Sequence, residues 1–298
     1  MTAMIAVTVF GAGCSKEESS VVKDSNELKV TTNIVKPSTK STVSSFNNST
    51  IGIYVDDDAD KYTPSTNSIA IVSNGDNSVI VKPSIYINAD ATVYAWYPAK
   101  TGELANPTST SATDITVLNT DDFSATGQND YLIATPVSVT EANRTAALTL
   151  KHALSKIIFS IKKDADFEED GVLSAISLTS TGTPFLSGTD GTMTIEDGTI
   201  SALTSTSTLK YTGSIILSTT AAKIVALVAP TTLNETITIK LTIDDNFYST
   251  TFPVTEVSTW DAATEYTYNI TAYKGELKIG IVTITPWATG TTTDIPVK

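Results

Sequence analysis

The sequence is poor in the residues that most protein chemistry requires. It has one histidine (His152), one cysteine (Cys14) and one arginine (Arg144) in 298 residues. Zinc sites built from four cysteines, or from two cysteines and two histidines, are therefore impossible. Any triad with a histidine base would have to use His152, and no disulfide can form within the chain. Positive charge is scarce as well: 19 Lys plus Arg against 32 Asp plus Glu give a net charge of -13, which would repel a nucleic-acid backbone. Charged residues make up only 17% of the chain, against roughly 25% in an average globular protein. Nor does the sequence carry an amphipathic helical pattern three turns long. Carboxylate catalysis and oxygen-ligand calcium sites survive this filter, on a background that favours a non-enzymatic protein without a cofactor.

Threonine, serine and valine are abundant instead, and that composition favours strands. Leu28, Val30, Thr32 and Ile34 alternate with polar residues, and the period of two returns at 51–55, 92–97, 148–150, 156–161, 215–217, 224–228, 236–243, 266–270 and 277–284. Many short strands at this spacing predict an all-β protein of sandwiches or barrels. The length suggests about two domains. The charged stretch from Lys162 to Gly171 reads as a connector, predicting an N-terminal domain over 27–165 and a C-terminal domain over 166–298. The Thr/Ser-rich stretches at 108–113 and 204–208 read as exposed loops.

The N-terminus points to export. Ala3 to Gly13 is an apolar run too short to span a bilayer, and it fits the apolar region of a signal peptide, expected over 1–13. Gly11-Ala12-Gly13-Cys14 resembles a bacterial lipobox, in which the cysteine becomes the lipidated first residue of the mature protein. Residues 14–26 would then be a polar tether to the outer membrane. No basic residue precedes Lys16, so the true start codon is expected further upstream.

From Gln128 the chain reads Asn-Asp-Tyr-Leu-Ile-Ala-Thr-Pro-Val, and from Leu148 it reads Thr-Leu-Lys-His-Ala-Leu-Ser-Lys-Ile-Ile-Phe-Ser-Ile161. Together with Ile51-Gly-Ile-Tyr-Val55, Tyr94-Ala-Trp-Tyr-Pro98 and Trp260 through Trp287, these segments resemble the Bacteroidales fimbrillin family of lipoprotein pilins. The resemblance implies two tandem transthyretin-like β-sandwich domains, export as a lipoprotein, and a place in a type V fimbria. Its implied partners are other fimbrial subunits, joined by strand exchange, and a host or bacterial surface receptor.

It also implies that a protease removes an N-terminal strand, opening a groove that a strand of another subunit fills. Here the removable strand would comprise Leu28, Val30, Thr32 and Ile34. Pro37 blocks cleavage after Lys36, which leaves Lys40-Ser41 as the candidate cleavage point; the family's usual arginine is absent. Candidate donor residues are Ile279, Ile281, Ile284, Ile295 and Val297, with Gly290 and Pro296 weakening a long strand. Stalk, tip and anchor roles all stay open.

Several features have blander readings. His152, alone in a strand-like segment, reads as a packing or hydrogen-bonding residue. Ser155 and Lys156 are neighbours on a strand, so they face opposite ways and form no catalytic pair. The acidic run Asp56 to Asp60 lacks the glycine and terminal glutamate of an EF-hand loop. Exposed Trp96, Trp260 and Trp287 would instead favour the rival reading, a monomeric surface glycan-binding lipoprotein.

Overall fold

The computed structural model describes residues 26–34, 50–56, 68–72, 78–99, 104, 107–167 and 171–287. These residues form strands and no α-helix. In chain order the first strands are β1 (Lys29–Ile34), β2 (Thr50–Asp56), β3 (Ser68–Val72), β4 (Ser78–Lys82), β5 (Ala91–Tyr97), β6 (Ala112–Val117), β7 (Thr120–Asp122), β8 (Leu132–Ala134), β9 (Val137–Val139), β10 (Thr145–His152) and β11 (Ser155–Lys163). The rest are β12 (Val172–Ser180), β13 (Phe185–Thr194), β14 (Ile200–Ser201), β15 (Thr204–Thr206), β16 (Thr208–Ile216), β17 (Ala222–Val228), β18 (Thr231–Thr232), β19 (Ile237–Ile243), β20 (Asn246–Thr251), β21 (Thr259–Trp260), β22 (Thr264–Tyr273) and β23 (Glu276–Pro286).

The N-terminal strands pair in the order β2-β3-β4-β1-β10-β8-β5-β9, and β5 also pairs with β2, so the hydrogen-bonded path returns on itself. Leu28, Val30, Ile51, Ile53, Val93, Leu132, Leu148 and Leu150 pack inside it. Strand β10 alternates strictly between exposed and buried residues, as expected when one face meets a core and the other meets water. On the C-terminal side, β17-β11-β22-β23 form one sheet and β20-β19-β12-β16-β7 another. Ile157 and Phe159 of β11 share a core with Leu173 and Ile176 of β12, Ile239 and Leu241 of β19, and Tyr268 of β22.

These pairings bear on the expected division near residue 165. The segment after β11 joins two sheets of one shared core, and its Phe167 is buried in that core. Strand β11 accordingly hydrogen-bonds with β17 and β22, on the C-terminal side. Strands β6 and β7 also cross over, pairing with β13 and β16. A run of charge marks solvent on one side of a connection, not the end of a core. Likewise the Thr/Ser stretch at 204–208 is largely strand, in β15 and the start of β16, and Thr113 of β6 is buried. Threonine suits a sheet as well as a loop.

Candidate assembly site

Strand β1 is an inserted central strand. It runs parallel to β10 through six registered pairs, from Lys29 opposite Thr145 to Ile34 opposite Leu150. On its other side it meets β4, with Val30 opposite Val79. The residues before it continue the embrace: Leu28 N donates to Ile85 O at 2.8 Å, and Ile87 N donates to Asn26 O at 2.7 Å. Ser84 Oγ donates to the Glu27 carboxylate at 2.5 Å. Leu28, Val30 and Thr32 are buried while Lys29 and Thr31 are exposed, which is the alternation expected from the sequence. Burying Leu28 and Val30 contributes about 1.5–3 kcal/mol each.

The Gln128 and Leu148 segments meet where the chain passes from the first sheet system to the second, and their polar residues each reach a different neighbour. Gln128 Oε1 accepts the amide of Leu227 in β17 at 2.6 Å. Tyr131 OH accepts the amide of Thr116 in β6 at 2.7 Å. Asp130 Oδ1 lies 2.9 Å from His152 Nδ1, with both side chains buried. The imidazole stacks on the indole of Trp287, ring centroids 3.7 Å apart and planes 5° apart. Ser155 Oγ donates to Asp261 O at 2.8 Å. Lys156, fully buried, pairs with Glu265 at 2.8 Å. Ala153, Leu154, Trp287 and Leu227 join Tyr54, Trp96 and Ile133 in a third core between the two systems. This is a structural junction: His152 serves packing and pairing, and Ser155 and Lys156 serve separate partners.

Strand β23 pairs with β22 from Tyr273 opposite Glu276 to Thr264 opposite Pro286, with a bulge between the Ile270–Ile279 and Tyr268–Val282 pairs. It is the last strand of its sheet. Ile279 is partly buried, whereas Ile281 and Ile284 are 85% and 52% exposed. Trp287 then turns inward, and its amide donates to Ala263 O at 2.6 Å.

The model of the fimbrillin-like family matches residues 39–287. The chain belongs to that family. No curated protein matches it by sequence. Among solved structures, a candidate cell adhesion protein from Bacteroides ovatus superposes with a TM-score of 0.64 at 19% identity, covering 89% of this chain and 98% of its own. A candidate cell adhesion protein from Bacteroides uniformis gives a TM-score of 0.62 at 17% identity, covering 88% of this chain and 100% of its own. A fimbrial protein from Bacteroides vulgatus gives 0.55 at 11% identity, with 88% and 100% covered. At these identities the likeness speaks for the fold. Membership places this fimbrillin-like protein among cell-surface fimbrial and adhesion proteins, a family of structural and adhesive components and not of enzymes.

Trp96, Trp260 and Trp287 are all buried, so they build cores and offer no sugar-stacking platform. Trp260 Nε1 donates to Tyr268 OH at 2.9 Å, and burial pushes the Tyr268 phenol well above its ordinary value. Asp56 ends β2 and accepts the Tyr54 hydroxyl at 3.0 Å. Cys14, Lys40, Ser41, Ile295 and Val297 lie outside the described residues, as does the side chain of Ile34. The sequence did not single out the β4 flank of β1. Its alternating Val79 and Val81 were the available signal. Nor did it single out Asp130, although that residue stands inside the quoted motif.

Proposed function

We propose that this protein is a structural or adhesive subunit of a type V fimbria, exported as a lipoprotein acylated at Cys14 and assembled by exchange of β1. One observation carries the reading: β1, the first described strand, lies in the middle of a sheet, between β10 and β4. Removing it would leave unpaired backbone groups on both neighbours beside an apolar slot, a site that an extended donor strand fills. Losing Leu28 and Val30 alone forfeits about 3–6 kcal/mol of burial, so the vacated subunit has a strong tendency to capture a replacement.

The donor end of the account follows from the hold on β23. That strand is registered on β22 along its length and is pinned by a buried tryptophan, so donation is assigned to residues beyond Trp287, which include Ile295 and Val297. Ile279, Ile281 and Ile284 stay at home. Two sandwich domains remain the preferred organisation, with the changeover moved to the junction before β11 and with β6 and β7 reaching across it.

The test is polymerisation of the purified, soluble chain after trypsin-like cleavage. Cleavage after Lys40 is expected to release β1 and give filaments visible by negative-stain electron microscopy. Lys40→Ala should leave a folded monomer that does not polymerise. Cleaved protein that loses β1 and stays monomeric at every concentration would oppose the reading.

A further inference from the structure

The outer edge of β23 is independent of β1 and its release. Natural sheets guard exposed edges with lysine, proline or inward charge. The outer edge of β23 carries no charged residue from Ile279 to Thr285 and has no strand partner among the described residues. Strand β20, the last strand of the other sheet, lies beside it. It too is uncharged, and its Phe247 is 70% exposed. Ile281 and Ile284 add exposed apolar surface on opposite faces of β23, while Phe247 on β20 is topped by the Lys240 ammonium, 4.6 Å from its ring centroid.

At its C-terminal end β23 runs into a surface hollow of about 420 Å³. Ile284, Pro286 and Val257 give it an apolar wall, and Glu256 and Asp261 give it two carboxylates, with no lysine or arginine among the described residues of the lining. Asp261 is held in place: its Oδ2 accepts the hydroxyls of Thr259 and Tyr266, each at 3.2 Å. Two of its acceptor positions are thereby taken, which disfavours the planar two-point grip of an arginine and suits the point charge of an ammonium.

We propose that the outer edge of β23, together with this hollow, docks an extended, lysine-bearing segment of a different protein. The segment adds a strand to β23, lays its apolar side chains along the face that carries Ile284 and the hollow, and places one ammonium between Glu256 and Asp261. Strand addition gives backbone hydrogen bonds, and the hollow gives selectivity. The occupant is assigned from the hollow itself, whose two carboxylates complement a lysine, and a second copy of this chain is the competing occupant that the experiment separates.

The probe is a short synthetic strand peptide of alternating valine and threonine ending in one lysine, titrated into the isotope-labelled full chain and followed by amide chemical shifts. Shifts are expected at Ile279 to Thr285 and around Asp261 and Tyr266. Replacing the lysine by norleucine should weaken binding at least about tenfold, as should Glu256→Gln, a change at an exposed residue that leaves the fold intact. Ile281→Lys, which charges the edge, should abolish the shifts along β23. Equal affinity for the lysine and norleucine peptides, shifts confined to another part of the molecule, or no shifts at millimolar peptide would overturn the proposal. Concentration-dependent broadening of β23 amides without peptide would assign the edge to a second copy, which also overturns it.

Discussion

The imidazole of His152 lies flat against the indole of Trp287, ring centroids 3.7 Å apart, although 135 residues separate them in sequence. Asp130 holds the imidazole at its Nδ1 edge, 2.9 Å away. The arrangement ties the end of β10, the motif before β8 and the exit of β23 into one buried joint. Trp287→Ala is therefore expected to cost about 3–5 kcal/mol, the range for deleting a large buried aromatic side chain. His152→Ala should cost about 2–3 kcal/mol, through the lost stack and the lost partner of a buried carboxylate. Urea unfolding of both variants checks this; a midpoint unchanged for Trp287→Ala would remove the joint from the account.

A second prediction comes from Gly52, which sits opposite Trp96 in the β2–β5 register. A methyl group at position 52 would fall 2.2 Å from the indole Cε2. The indole is fully buried and has little room to retreat. Gly52→Ala should destabilise the chain by about 1–3 kcal/mol, read as a lowered thermal midpoint. Wild-type stability in this variant would mean that the ring moves freely.

Lys156 and Glu265 predict an asymmetry. The ammonium is fully buried, while the carboxylate is 21% exposed. Glu265→Gln leaves a buried charge without its counterion, at about 3–5 kcal/mol. Lys156→Met fills the same space and leaves a carboxylate that water can reach, so it should cost less than about 1 kcal/mol. Equal costs in denaturant unfolding would contradict the assignment of burial to the lysine end.

The sequence made β1 legible because only one of its faces is buried, so Leu28, Val30 and Thr32 announce themselves by alternation. Strand β11 was read from a period of two over 156–161, yet residues 155–161 are all buried, so in the folded chain that alternation separates two covered faces and marks no solvent side. Strand β13 was not read at all. Its Gly188 and Gly191 look like turn residues, but a register shift between them lets the strand bend while pairing with β6. Such pairing is decided by distant residues. The motif at His152 was readable as a signature, whereas its partners Trp287 and Glu265 became visible only once the chain was folded.

Asp122 supplies a pH prediction. Hydrogen bonds from the hydroxyls of Ser124 and Thr126 hold its carboxyl at about 2, below the ordinary carboxylate value of 3.8. A lowered folded value means that the stabilisation is present above the ordinary value and is lost as pH falls from about 4 towards 2. The amides of Ser124 and Thr126 should keep their shifts down to pH about 3 and move together below it. Movement centred near pH 4 would show that the hydroxyls do not hold the carboxylate.

The central claim is that β1 occupies a slot that another subunit's strand takes over on assembly. The most direct measurement is intact-mass analysis of this protein stripped from native cell-surface filaments. The account predicts a subunit that begins at Ser41 and lacks Leu28 to Ile34. Filament subunits that still carry Leu28 to Ile34 would contradict it.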